Sequence, residues 1–150
     1  NNEELGEEWI NALGENQPMI AQSNGPTSQE IAGGGHPVGV VVDYLVRDLA
    51  DAGSPIAAVY PTEGAPYITE PAGVFEASDN KEAAERYINF LLSEEGQKIA
   101  VEQAYLPVRE DVGTPENTPP LNEIALMTPD LQVVTEDKDA AVELFQSAMQ

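Results

Sequence analysis

Two acidic side chains and a tyrosine follow the two runs of the sequence that are most typical of buried strands. Asp43 and Tyr44 come directly after the apolar, largely β-branched run Val38–Val42, and Glu63 follows the run Pro55–Tyr60. In open α/β sheets, ligands bind in the crevice outside the carboxyl ends of the strands. We therefore predict that Asp43, Tyr44 and Glu63 contact a ligand.

Each of these three residues also has a structural alternative. Asp43 can cap the helix that follows it, Tyr44 can pack its ring into the core, and Glu63 can be a solvated loop acid. An enzymatic alternative uses Asp43 and Glu63 as an acid/base pair. The chain, however, has no cysteine, one histidine and no recognisable serine nucleophile elbow. We therefore predict no catalytic residue, and we separately expect no resident cofactor.

A short polar segment supplies a second group of candidate ligand contacts. Ser23, Asn24 and Thr27 stand just before the predicted helix Ser28–Ala32, where such side chains commonly cap a helix. Free backbone N–H groups at a helix start, together with nearby hydroxyls, can also bind a carboxylate or phosphate without a cation. Capping alone and capping combined with ligand contact both remain open at this point.

The composition restricts the partners that the protein can have. Six basic residues against 27 acidic ones give a formal net charge of -21, which repels nucleic acid and anionic membrane surfaces. The acids are spread along the chain, as in proteins from salty environments, so a halophilic source is one expectation and an ordinary acidic protein the other. No run approaches the roughly 20 apolar residues of a membrane helix. The start of the sequence is neither a methionine nor a signal peptide, and we expect a mature or excised segment.

Hydrophobic periodicity predicts the elements that must position these side chains. The chain is long enough for one ordinary domain, and 41% of its residues are hydrophobic. Three strands are predicted, at Val38–Val42, Pro55–Tyr60 and Ala72–Ala77. Helices are predicted over Glu3–Asn16 with Trp9 in the core, over Ser28–Ala32, between the first two strands, after Ser78-Asp79-Asn80, from Ser93 towards Pro107, weakly over Leu121–Met127, and after Thr135.

Several motifs in this order resemble a known family. The run FLLSEEGQ (Phe90 to Gln97) is preceded by DNKEAAERYIN and followed by LPVRED, and upstream stand VGVVVDY and VYPTEG. Together they resemble the carboxyl-terminal half of family 1 extracellular solute-binding proteins, the receptors of ABC importers, which include ferric-ion binders. The resemblance covers Trp9 to about Val112.

The resemblance implies an α/β fold of the type II periplasmic-binding-protein class, of which this chain would be the carboxyl-terminal portion. In that fold two lobes joined by crossover strands close over a ligand between them. Residues 1–68 would belong to the second lobe, residues 69–115 would return to the first lobe, and residues 116–150 would form helices that pack on the second lobe.

The resemblance also implies a function: an extracytoplasmic receptor, periplasmic or on the cell surface, that works with an ABC permease, touches the membrane only through the transporter and has no enzymatic activity. In relatives that bind organophosphates, sugar phosphates or phosphonates, the positions of Ser23, Asn24, Thr27, Asp43 and Glu63 meet the ligand. Two carboxylates as close as Asp43 and Glu63 would be at these positions also favour a cationic amine, if the ligand carries one. In ferric-ion binders two adjacent tyrosines hold Fe3+. Tyr44 matches the first of them and would be a metal ligand in that alternative, whereas Leu45 replaces the second.

Overall fold

A computed structural model describes residues 5–150 of the chain, so Glu3 and Glu4 of the first predicted helix lie outside the described residues. The described part divides into two compact units. One contains the residues up to Gln22 together with Met127–Gln150, and the other contains Ser23–Leu126.

Two helices make up the first unit. They are α1 (Glu7–Glu15) and α6 (Leu131–Ala148), and they pack against each other. The contact is so close that a side chain at position 14 would place its Cβ atom 1.9 Å from the carbonyl oxygen of Ala148. The amphipathic helix predicted from the first residues is confirmed over Glu7–Glu15, but Trp9 is 46% exposed, so its prediction as a core residue is wrong.

The second unit contains four helices. The helices are α2 (Asn24–Ala32), α3 (Asp43–Asp51), α4 (Lys81–Leu91) and α5 (Glu94–Glu102). The strands Ala65–Pro66 (β1) and Leu126–Met127 (β2) form a two-stranded sheet, beside which the N–H of Ala65 donates to the carbonyl oxygen of Ala125 at 2.8 Å. Short 3-10 helices cover Glu110–Val112 and Leu121–Glu123.

The three predicted strands are not strands in the described part of the chain. Val38–Val42, Pro55–Tyr60 and Ala72–Ala77 have no regular secondary structure. A strand requires hydrogen bonds to a neighbouring strand, and none of the described residues supplies that partner to these runs. Their apolar side chains are correspondingly open to solvent: Val40 is 94% exposed and Val59 is 86% exposed.

The helices after the predicted strands agree better with the sequence. The helix predicted after Ser78-Asp79-Asn80 is α4, and the one predicted from Ser93 is α5. The Ser93 hydroxyl accepts a hydrogen bond from the N–H of Gly96 at 3.1 Å, as expected of a helix cap.

Three other boundaries differ from the prediction. The helix expected over Ser28–Ala32 begins at Asn24, and the last helix begins at Leu131, where the Asp130 carboxylate accepts from the N–H of Gln132 at 2.8 Å. The weak helix expected over Leu121–Met127 is a 3-10 turn followed by β2. Local side-chain capping, which periodicity does not register, sets the start of α6.

The buried side chains of the second unit are few. Val46, Ala104 and Ile124 are the buried hydrophobic residues of the described part of the chain, and Ser28 and Arg47 are its buried polar ones. A buried arginine must have partners for its charge and its N–H groups, and those partners define the site described next.

Candidate functional site

The start of α3 carries a closed network of polar side chains. Asp43 is the first residue of the helix and Arg47 lies one turn later, so the two side chains lie on the same face. Nη1 of Arg47 donates to Oδ2 of Asp43 at 2.6 Å and to the hydroxyl of Tyr60 at 2.9 Å, and the Tyr60 hydroxyl donates to the same Oδ2 at 2.9 Å. Each of the three side chains is therefore hydrogen-bonded to the other two.

The other nitrogens of Arg47 bind the backbone at the end of α5. Nε and Nη2 both donate to the carbonyl oxygen of Ala104, at 2.8 and 2.5 Å. Arg47 is only 7% exposed, so its charge is balanced inside the protein by Asp43 and by this carbonyl dipole. The guanidinium thus connects α3 to a residue 57 positions away in the sequence.

The ionisation of the network follows from these contacts. Burial alone would raise the pKa of the Asp43 carboxyl, but the hydrogen bonds from Arg47 and Tyr60 and the charge of Arg47 outweigh it and hold the pKa below its usual value. Burial and the adjacent Asp43 carboxylate raise the pKa of Tyr60 to about 12. At neutral pH the network therefore consists of a carboxylate, a guanidinium and a neutral phenol, with no net charge.

Tyr44 contacts a second tyrosine. Its ring lies against that of Tyr105 with 4.7 Å between the centroids and an angle of 19° between the planes, which is a stacked arrangement. The Tyr44 ring therefore does pack against another side chain, as the structural alternative expected. Its partner is the Tyr105 ring, in the segment after α5.

The polar segment at the start of α2 lies against the start of α3. The side-chain oxygen of Asn24 accepts a hydrogen bond from the N–H of Val42 at 3.2 Å, directly before Asp43. Thr27 donates to the carbonyl oxygen of Ser23 at 3.1 Å, and the Ser23 side chain makes no capping bond. Two helix starts are thus brought together, each with backbone N–H groups that lack partners within their own helix.

Of the six predicted contacts, Glu63 is the one that these interactions do not connect to the others. It is exposed, and its carboxylate accepts from the hydroxyl of the adjacent Thr62 at 3.2 Å. This geometry agrees with the solvated alternative, while a role in ligand binding stays a prediction.

Sequence reasoning missed three residues of this arrangement: Arg47, Tyr60 and Tyr105. The i,i+4 spacing of Asp43 and Arg47 was a usable signal, since such pairs meet on a helix. No local signal connects Tyr105 to Tyr44, because 61 positions separate them in the printed sequence.

The described residues offer little for a metal ion. Among them no three or more histidine, cysteine, aspartate or glutamate side chains form a group that could hold one. The single histidine, His36, lies 3.1 Å from a carboxylate oxygen of Glu30.

Comparison with known protein families decides the class of protein. The family described as bacterial extracellular solute-binding protein matches residues 6–128, which is most of the chain. The chain belongs to the bacterial extracellular solute-binding protein family. No solved structure matches the chain. Within residues 5–150 no helix is both long and apolar enough to cross a membrane.

Membership of the solute-binding protein family carries several consequences. Its members are generally non-enzymatic, and the family implies an extracytoplasmic location, a small-molecule ligand and an ABC permease as partner. The helices and small sheet are compatible with part of a periplasmic-binding-protein fold. The resemblance seen in the motifs is thereby confirmed at the level of solute-binding proteins.

Proposed function

We propose that this solute-binding protein is the extracytoplasmic receptor of an ABC importer and binds a small anionic or zwitterionic solute of the organophosphate, sugar-phosphate or phosphonate type. The observation that carries the proposal is the hydrogen bond between the Asn24 side chain and the N–H of Val42, which brings the starts of α2 and α3 together. Helix starts carry partial positive charge and free N–H donors, which suits an anion in a chain with only six basic residues.

The state of Asp43 supports an anionic group rather than an amine. A free carboxylate at this place would repel an anion, but Arg47 neutralises Asp43 at 2.6 Å. The same pairing weakens the expectation that Asp43 attracts a cationic amine. It also weakens the acid/base alternative, because a carboxylate with a lowered pKa is a weaker base at neutral pH.

Ferric ion is the second candidate because a second phenol lies beside Tyr44. Leu45 stands where ferric-ion binders of the resembled family have another tyrosine, but Tyr105 stacks on Tyr44 and could supply the second phenolate. Phenolate and carboxylate oxygens are hard ligands that suit Fe3+. Fe3+ would then be the transported solute.

A ligand screen with the full-length protein tests both candidates. We expect inorganic phosphate, glucose 6-phosphate or a phosphonate to raise the melting temperature, since a ligand at a hundred times its Kd adds about 2.7 kcal/mol to the free energy of unfolding. If ferric citrate alone stabilises the protein and gives a visible phenolate charge-transfer band, the solute is Fe3+ and not an organic anion. If neither class of probe stabilises the protein, both candidates are wrong.

Matched serine variants locate the site. Ser23→Ala should weaken binding of the anionic probe, because the Ser23 hydroxyl makes no capping bond and stands at the start of α2. Ser93→Ala, at the start of α5, should leave the affinity unchanged although it removes a cap. Equal affinities of the two variants would place the anion elsewhere.

A further inference from the structure

The end of α5 has an unusual backbone conformation. The N–H of Tyr105 donates to the carbonyl oxygen of Ala100 and the N–H of Ala104 donates to that of Val101, both at 3.0 Å. These two bonds define a Schellman motif, whose left-handed residue is usually glycine. Here that residue is Ala104, with φ of +62°. A residue with a Cβ atom in this conformation is strained and persists only when its surroundings hold it.

Arg47 adds a hold on this turn beyond the two helix-terminal hydrogen bonds. Two of its nitrogens bind the Ala104 carbonyl oxygen, and the fork of a guanidinium fixes the direction of that carbonyl in a way a single donor cannot. The orientation of the Ala104 carbonyl determines where the next residue begins. Arg47 therefore contributes to fixing the point from which the Tyr105 side chain starts.

The ring that this turn positions lies on Tyr44. Tyr44 and Arg47 are three residues apart on α3, so they share one side of the helix. The helix thus contacts the segment after α5 at two adjacent points, through the Arg47 guanidinium and the Tyr44 ring. Because Tyr44 directly follows Asp43, the aromatic pair lies next to the two helix starts that form the proposed anion site.

We propose that Tyr105 is a further solute-contacting residue, which Arg47 positions against Tyr44 so that the two rings receive the organic part of an organophosphate or phosphonate. This inference rests on the proposed function and narrows it. Aromatic rings pack well against carbon-bearing groups, whereas inorganic phosphate has none to offer them. Burial and the nearby charge of Glu70 raise the pKa of Tyr105, so its hydroxyl is a protonated donor at neutral pH.

The binding test compares two tyrosine variants of the full-length protein by calorimetry with phenylphosphonate, glucose 6-phosphate and inorganic phosphate. Tyr105→Leu should weaken binding of the two organic probes by about tenfold, the size of one lost aromatic contact, and should change phosphate binding much less. Tyr87→Leu is the control, because Tyr87 is an exposed tyrosine of α4. It should leave all affinities unchanged.

The positioning test needs no ligand. Stacked tyrosines give a strong near-ultraviolet circular dichroism signal, which Tyr105→Leu should reduce and Tyr87→Leu should largely preserve. Arg47→Lys keeps the positive charge beside Asp43 but loses the two-pronged bond to Ala104. It should lower both the tyrosine signal and the affinity for the organic probes.

The outcomes separate this inference from the proposed function. If Tyr105→Leu binds the organic probes as tightly as the wild type does, the contact by Tyr105 is wrong while the proposed function stands. An unchanged tyrosine signal in Arg47→Lys would overturn the positioning role. If the wild type has the tyrosine signal but binds no anionic probe, the proposed function fails and the contact fails with it.

Discussion

The substitution Arg47→Met tests the network that organises the candidate site. Methionine is also long and unbranched, but it is apolar and has neither a charge nor an N–H donor. The Ala104 carbonyl then loses both of its bonds from Arg47, and a buried acceptor left unpaired costs about 1–3 kcal/mol. Asp43 loses its counter-charge, but its side chain is 33% exposed, so water replaces part of the interaction.

These contributions together predict a loss of about 3 kcal/mol in the free energy of unfolding, the lower end of the range for breaking a buried ion pair. Urea unfolding followed by far-ultraviolet circular dichroism measures it. Arg86→Met is the matched control, because Arg86 also pairs with an acid four residues away on a helix, Glu82, but both side chains are exposed. The control should lose less than about 0.5 kcal/mol.

The same pair gives the prediction a pH dependence. The pKa of Asp43 is lower in the folded protein than in the unfolded chain, so the ion pair stabilises the fold above about pH 4 and this contribution disappears as the pH falls through the folded pKa. Arg47→Met should therefore lose less stability than the wild type on acidification. If Arg47→Met is no less stable than Arg86→Met at neutral pH, the reasoning about the network is refuted.

Three further predictions follow from individual contacts. Gly14→Ala should destabilise the packing of α1 on α6 by about 1–3 kcal/mol, because the new Cβ would lie 1.9 Å from the Ala148 carbonyl oxygen; an unchanged melting temperature would contradict this. Ser93→Ala should cost about 1 kcal/mol in urea unfolding through the lost cap, and Ser23→Ala distinctly less, since Ser23 makes no capping bond; equal losses would be the contrary result. In an ultraviolet absorbance titration, Tyr60→Phe should lack the phenol that ionises at a pH of about 12. The variant should also lose less stability than the wild type between about pH 10 and about pH 12. If the phenol missing from the titration is instead one that ionises near pH 10, the prediction is wrong.

The prediction about Tyr60 has its sign fixed by the raised pKa. The unfolded chain releases the phenol proton near pH 10, whereas the folded protein retains it until about 12. The stabilising contribution of the neutral phenol is therefore complete below about pH 10 and declines above it.

The sequence by itself determined the elements whose causes are local. The helix of Ala84, Ile88 and Leu91 and the helix after Ser93 were predictable because periodicity and capping act within a few residues. The motifs around Phe90 to Gln97 were also enough to indicate a solute-binding protein, and the family match agrees. The net charge followed directly from composition and limited the choice of partners.

Only the tertiary structure decided the strand-like runs and the connections of the site. Val38–Val42 and Pro55–Tyr60 have strand composition, but a strand is defined by hydrogen bonds to a neighbour, and the described residues supply none to them. The i,i+4 spacing of Asp43 and Arg47 could have indicated their ion pair, but the bond from Arg47 to the Ala104 carbonyl joins residues 57 positions apart. The stacking of Tyr105 on Tyr44 joins residues 61 positions apart and directly follows the left-handed turn at Ala104, and no local pattern connects the two rings.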